Sequence, residues 1–292
     1  MFLHRYHFLG IILILWTITA CKQVEQGVSE KLVIGVIGYG EINSSLDQYA
    51  ELKDYLTIQL KTIVELEPAY NEIHALGQIS QKKWDLVFAD PGITALSVYR
   101  HQYQPIIALE GVDKLRSAIV VNQNSPIKDK LDLAKKSIAL GQEGSATNYY
   151  LPIYNLYGLA LKKVRFSPTP KTSLTWLEQE QVDAVALSLQ EFNQHRQNFK
   201  PNQFRIIDLD SHIIPTGAII IADHIDPDRS IAIQLALVRT PSHIAASAKF
   251  LPNTKVEQYD YLIGVIEKVI PIVDRIKQEP ALFYEPQKSV AQ

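Results

Sequence analysis

A single cysteine, Cys21, stands in this chain of 292 residues. That excludes an internal disulfide framework and any cysteine-based zinc cluster. An excess of charge is also missing: 29 basic against 31 acidic residues give a formal net charge of −2. A chain so balanced has no general attraction for nucleic acid. The eight histidines are scattered and no His-Glu-x-x-His pair occurs, so neither a metal nor a cofactor is expected. Gly38-Tyr-Gly40 follows an apolar run without the third glycine of a dinucleotide fingerprint. Gly144 is not followed by Gly-Lys-Ser/Thr, so there is no phosphate-binding P-loop. A Gly-x-Ser-x-Gly elbow is absent as well.

Long hydrophobic runs are scarce. Residues 8–18 form an apolar stretch after His4, Arg5 and His7, of signal-peptide length and too short for a comfortable membrane span. It ends in Ile18-Thr19-Ala20-Cys21, which resembles a bacterial lipobox, where small residues precede a cysteine that becomes lipid-modified. Residues 1–20 are therefore expected to be a lipoprotein signal peptide, with Cys21 the lipidation site and 21–30 a polar tether. The expected product is exported to the bacterial cell envelope, in the periplasm, and held on a membrane by its acyl chains.

What is present is ordinary globular composition, 47% hydrophobic and 21% charged. Residues 31–37 read as a buried strand, 46–60 as a helix and 63–66 as a second strand. A helix at 71–80, a strand at 84–89, a loop at 90–94, a short helix at 95–99 and a strand at 104–109 follow. After a strand at 116–122 the pattern restarts with strands at 137–140, 163–166, 182–187, 204–209 and 216–222, separated by helical stretches. Helices at 227–238, 242–250 and 259–276 close the chain, and 278–292 reads as an arm. The alternation points to an α/β fold with mixed, mainly parallel sheets. Two such blocks suggest two lobes with a hinge. The first lobe is expected to take 31–117 plus 221–292, and the second 118–220. A ligand would lie in the interlobe cleft, at carboxyl ends of strands.

The stretch 137–152 is the most informative. An apolar strand turns through Gly141 and Gly144 and presents Ser145, Thr147 and Asn148 where a helix should start. Those residues cap helices through side-chain oxygens. A helix start also offers free N–H donors and partial positive charge, which suits an anion. Both a plain capped helix and an anion seat fit this window. Arg116 either completes an anion site or serves the hinge. Asp90, before Pro91, either caps the next helix or faces the cleft.

For the stretch 137–152 the ordered segments favour the anion seat. Residues 31–37, the helix at 46–60, Trp84-Asp-Leu-Val-Phe-Ala-Asp-Pro91, Arg116-Ser-Ala-Ile-Val-Val121, Ile138-Ala-Leu-Gly141, Gly144-Ser-Ala-Thr-Asn-Tyr-Tyr-Leu-Pro152 and Gln181-Val-Asp-Ala-Val185 together resemble the phosphate/phosphite/phosphonate-binding proteins of ABC transporters. These are type 2 periplasmic binding proteins, and the resemblance covers about 30–240. It implies a solute-binding protein without enzymatic activity, a monomer that hands a small oxyanion to a permease and its ATPase. It implies Ser145, Thr147 and the N–H groups of Ala146 and Asn148 as oxyanion contacts, with Tyr39 contributing from the first lobe. Thr94 stands where the family often has an aromatic contact. Pro170 and Lys171 stand where its phosphonate binders often have a histidine. Ser188, Gln190 and Glu191 replace a clear carboxylate pair for an ammonium group. A sensory module signalling to a membrane kinase shares the fold and is the alternative. A pyrimidine-synthase-like enzyme would need a His/Cys cluster that the sequence does not show.

Overall fold

The computed structural model describes residues 31–38, 46–111 and 114–285. Tyr39 and Cys21 lie outside these described residues. Two mixed sheets organise the chain. Strands β1 (Leu32–Ile37), β2 (Val64–Ala69), β3 (Leu86–Ala89) and β4 (Gln104–Leu109) begin the first. Strands β5 (Ser117–Asn122), β6 (Ser137–Leu140), β7 (Ala160–Leu161), β8 (Lys163–Phe166), β9 (Ala184–Ser188) and β10 (Phe204–Leu209) follow. The chain ends with β11 (Ala218–Ile221), β12 (Phe250–Leu251) and β13 (Ala281–Leu282). The first sheet has the order β12-β4-β11-β3-β1-β2 and the second β10-β5-β9-β6-β8.

The parallel pairs are β1 with β2 and β3, and β6 with β8 and β9. They need crossover helices. The first lobe supplies α1 (Ala50–Leu60), α2 (Glu72–Ser80) and α3 (Pro91–His101). The second supplies α4 (Leu151–Asn155), α5 (Pro170–Glu178) and α6 (Leu189–His195). Because helices cover the parallel strands, β1, β3 and β9 are apolar on both faces and almost wholly buried. Strands β5 and β11 pair antiparallel with their neighbours. They are the strands by which the chain enters the second sheet and returns to the first.

The two connections lie side by side. Leu115 and Ile214 form an antiparallel bridge, with the Ile214 N–H donating to the Leu115 carbonyl at 2.9 Å. Beyond β11 come α7 (Pro227–Val238), α8 (Ser242–Ser247), α9 (Asp260–Val269) and α10 (Val273–Ile276). Helix α9 packs against α3 in the first lobe and against α4 in the second.

Three local differences from the sequence reading bear on the site. Residues 91–94, expected as a loop, are the first turn of α3. Proline is suited to that position because a first-turn N–H has no helical partner to lose. The helix expected from Thr147 starts as one π-helical turn over Ala146–Tyr150 before α4. The stretch after Gln278, expected as an arm, contributes β13, which pairs with β7. Phe283 beside it is fully buried, so apolar burial holds a segment whose prolines suggested a free end.

Candidate functional site

Two helix starts meet between the sheets. The C-terminal end of β3 leads through Asp90 into α3, and the C-terminal end of β6 leads through Gly144 into the turn at 146–150. A Cβ built on Gly92 would stand 2.1 Å from the Gly144 carbonyl oxygen and 2.6 Å from the Ala146 nitrogen. The first turn of α3 therefore lies directly on the turn. Gly144 itself has φ +110°, a left-handed conformation that favours glycine. Its α-carbon faces the Glu72 side chain, so α2 borders the same seam.

The turn is anchored from below. Tyr149 and Tyr150 are buried with their rings edge-on at 5.1 Å, and Tyr149 packs on Phe166 at 6.0 Å. Burial pushes both phenols well above the usual tyrosine range. The Ser117 hydroxyl donates to the Thr147 carbonyl at 2.5 Å, tying the turn to β5.

Three donors of the turn are bonded. The Asn148 N–H donates to the Ser145 hydroxyl oxygen at 3.2 Å. The Thr147 hydroxyl donates to the Asn148 side-chain carbonyl at 3.0 Å. The Asn148 amide group donates to Glu191 Oε1 at 3.2 Å. The other oxygen of Glu191 accepts from the Ser188 N–H (2.8 Å) and hydroxyl (2.7 Å), closing a capping box on α6. Ser145 accepts with its oxygen and keeps its own proton, since a hydroxyl is acceptor and donor at once. Ser145 is thus the hydroxyl of the turn whose proton faces no partner within it, whereas that of Thr147 is already given.

Beside the seam, on the first lobe, is a cavity of about 260 Å³ lined by Gln48, Tyr49, Phe88, Asp90, Glu110 and Lys249, among others. It opens at the carboxyl ends of β1, β3 and β4. Tyr49 and Phe88 meet edge-on at 4.7 Å. Burial pushes the Tyr49 phenol up to about 12, its bond with Gln48 opposing and the Asp90 charge assisting. Asp90 lines this cavity and Gly92 touches the turn, so cavity and turn lie within one helical turn of each other.

The residues singled out in the sequence do not all come together. Ser145, Ala146, Thr147 and Asn148 come together in the turn, and Asp90 borders the cavity next to it. The Asp90 side chain does not cap α3; its carbonyl accepts the Thr94 N–H at 2.8 Å. Arg116 is half-buried at the connection between lobes, where its Nε donates to the Asp210 carbonyl at 2.6 Å. Thr94 is fully buried inside α3 and donates to the Ala89 carbonyl at 3.0 Å. Its hydroxyl serves the helix start rather than the cleft. Lys171 is exposed in the first turn of α5, which Thr169 caps. Gly92 and Glu191 complete the seam. The glycine after Asp90-Pro91 was the signal for the first, and the Ser188–Glu191 spacing of a capping box for the second.

Residues 34–260 match the family described as "ABC transporter, phosphonate, periplasmic substrate-binding protein". Among solved structures, a Xanthomonas citri protein bound to ATP superposes with a TM-score of 0.71 at 17% identity, covering 84% of this chain and 100% of that one. The PhnD1 protein of Prochlorococcus marinus in complex with methylphosphonate gives 0.60 at 18% identity, over 84% and 100%. A binding-protein component of an ABC phosphonate transporter from Pseudomonas aeruginosa gives 0.60 at 13%, over 84% and 87%. At such identities the likeness is one of fold, and the fold is the two-lobed one that the resemblance implies. Among curated proteins none matches this chain.

Proposed function

This chain belongs to the phosphonate-binding periplasmic substrate-binding proteins of ABC transporters, and from that premise we propose that it captures a small phosphorus oxyanion between its lobes for import. The observation that carries the reading is the meeting of two helix starts, that of α3 and that of the 146–150 turn, at Gly92 and Gly144. Each start concentrates N–H donors and partial positive charge on the same seam. Ser145 adds a hydroxyl proton not used inside the turn. The ligand enters when Gly92 and Gly144 part, and an oxyanion takes the N–H groups that now face the other lobe. Its binding replaces lost water with ordered donors. No bond in the ligand has to break.

The substituent on phosphorus extends toward the cavity that Tyr49 and Phe88 help to line. The carboxylates of Asp90 and Glu110, set against the ammonium of Lys249 among the described lining residues, disfavour a second anionic group there. This favours phosphite or a simple alkylphosphonate over a bis-phosphorylated ligand. Export, anchoring through a lipidated Cys21 and delivery to a permease with its ATPase complete the proposal.

A thermal-shift panel of phosphate, phosphite, methylphosphonate and sulfate on the intact chain tests it. At a hundredfold excess over Kd a ligand adds about 2.7 kcal/mol, which corresponds to roughly 5–10 °C for a domain of this size. If no anion in the panel raises Tm, the transport reading loses its support.

A further inference from the structure

Asp210 stands where the connections between the lobes converge. It follows β10, at the point where the chain leaves the second sheet, and it is only 6% exposed. Its N–H donates to the Ser117 carbonyl at 2.9 Å, and its carbonyl accepts from Arg116 Nε at 2.6 Å. One residue therefore bonds the returning connection to the outgoing one. Its carboxylate then gathers two more elements. Oδ2 accepts from Asn155 of α4 at 2.7 Å. Oδ1 accepts from the His212 N–H and lies 2.8 Å from His212 Nδ1.

His212 passes the grip to the C-terminal segment. Its ring stacks on Tyr261 of α9 with centroids 4.2 Å apart. The Tyr261 hydroxyl also lies 2.9 Å from Nδ1, but that nitrogen is the one that faces Asp210, so the stack is what joins His212 to α9. The same connection is held twice more from that segment. The Tyr259 hydroxyl donates to the Thr216 carbonyl at 2.5 Å, and Glu257 accepts from the Thr216 N–H at 3.2 Å. Helix α9 in turn lies against α3 and α4, one from each lobe. Burial works to raise the Asp210 carboxyl, but the hydrogen bonds from Asn155 and His212 outweigh it and hold it below the usual carboxylate range. A charged acceptor makes these bonds stronger than neutral ones.

We propose that Asp210 is a positioning residue for ligand binding: through His212 and Asn155 it latches the C-terminal segment to the hinge and so sets how closely α3 and the 146–150 turn approach. A hinge turns by changing backbone angles over a few residues. Here those residues are bonded to each other, to α4 and, through His212, to α9. The latch holds the arrangement in which Gly92 lies on Gly144. Cutting it releases the returning connection and lets the lobes separate. Asp210 does not line the cavity, so it acts through the hinge and not by touching ligand.

Hydrogen–deuterium exchange of the intact, ligand-free chain tests this without reference to any ligand. Wild type is compared with Asp210→Ala, Asp210→Asn and Tyr261→Ala, with Glu65→Gln at a surface ion pair as control. The latch predicts faster exchange at residues 91–97 and 144–147, while the interior of β1 and β9 stays protected. Unchanged exchange at both seam segments overturns it. A uniform rise across both sheets also overturns it, because Asp210 would then serve stability alone. Tyr261→Ala removes the stacking ring and keeps the test open if Asp210→Ala does not fold. A second measurement rests on the oxyanion-binding reading: methylphosphonate should leave Asp210→Ala about tenfold faster than wild type, since interface changes act mostly on dissociation. An unchanged rate counts against the latch. Failure of methylphosphonate to bind wild type counts against the functional reading, and the exchange result still decides the latch.

Discussion

The carbonyl oxygen of Gly144 occupies the place where a side chain on Gly92 would begin, with 2.1 Å between that oxygen and an ideal Cβ. Real Cβ atoms essentially never approach an oxygen so closely, and the oxygen belongs to backbone that cannot rotate away. Closure of the two lobes therefore depends on glycine at 92. The three nearest atoms to that Cβ all belong to the 144–146 backbone of the other lobe.

The Gly92→Ala variant follows from this contact. The added methyl group should prop α3 off the turn. Affinity for an oxyanion such as methylphosphonate should fall about tenfold or more, a loss of at least ~1.4 kcal/mol. The melting temperature of the ligand-free chain should change little, because alanine suits a helix better than glycine. Titration calorimetry and a melting curve read the two effects separately. Unaltered affinity would show that the seam does not close on ligand.

Ser145 and Thr147 should not be equivalent. Ser145→Ala removes both the acceptor for the Asn148 N–H and the proton not used within the turn, so it should weaken the cap by about 1 kcal/mol and abolish the ligand-induced thermal shift. Thr147→Val removes a proton already given to Asn148, so a reduced shift should remain. Equal losses in the two variants would contradict the hydroxyl assignment.

Glu191 holds the Asn148 side chain and caps α6 with different oxygens. Glu191→Gln keeps an acceptor for only one of them, and the amide meets either the Ser188 N–H or the Asn148 amide as a second donor. A stability loss of about 1 kcal/mol is expected, together with weaker oxyanion binding as Asn148 loses its orientation. Denaturant unfolding and ligand titration measure these. An unchanged affinity would limit Glu191 to capping.

Tyrosine burial gives an alkaline limit. Burial lifts Tyr49 to about 12 and pushes Tyr103, Tyr149, Tyr150 and Tyr259 higher still. The native state favours these phenols in their neutral form, whereas the unfolded chain ionises them near 10. Their contribution is complete below that value and is lost as pH rises toward and through the native values. Stability should fall steadily above about pH 10, and less steeply in Tyr49→Phe. Absorbance titration of phenolate with parallel unfolding curves checks this. Ionisation of all tyrosines near 10, in folded protein, would contradict it.

The lobes were legible because their signal is local. Val33, Ile34 and Val36 announce a strand buried on both faces, and Leu52 and Leu56 the inward stripe of α1, whatever their partners are. The start of α3 was misplaced because Asp90-Pro91 is compatible with either a loop or a helix start, and only the packing of Ile93 and Thr94 into the core selects the helix. The strand at 281–282 escaped notice for a similar reason. Two residues carry no periodicity, and their partner β7 lies about 120 positions earlier.

The sequence by itself determined the α/β alternation, the family and the position of the Ser145–Asn148 turn, because each of these is written in neighbouring residues through apolar spacing, glycine placement and capping preference. The tertiary structure alone decided that Gly92 and Gly144 touch, that the Thr147 proton is already used, that Arg116 bonds the Asp210 carbonyl and that Thr94 is buried. It also decided that Asp210 joins Arg116, Asn155 and His212. Those facts concern residues up to some ninety positions apart. A hydrogen bond across such a span exists only once the hydrophobic burial of both sheets has brought its donor and acceptor together.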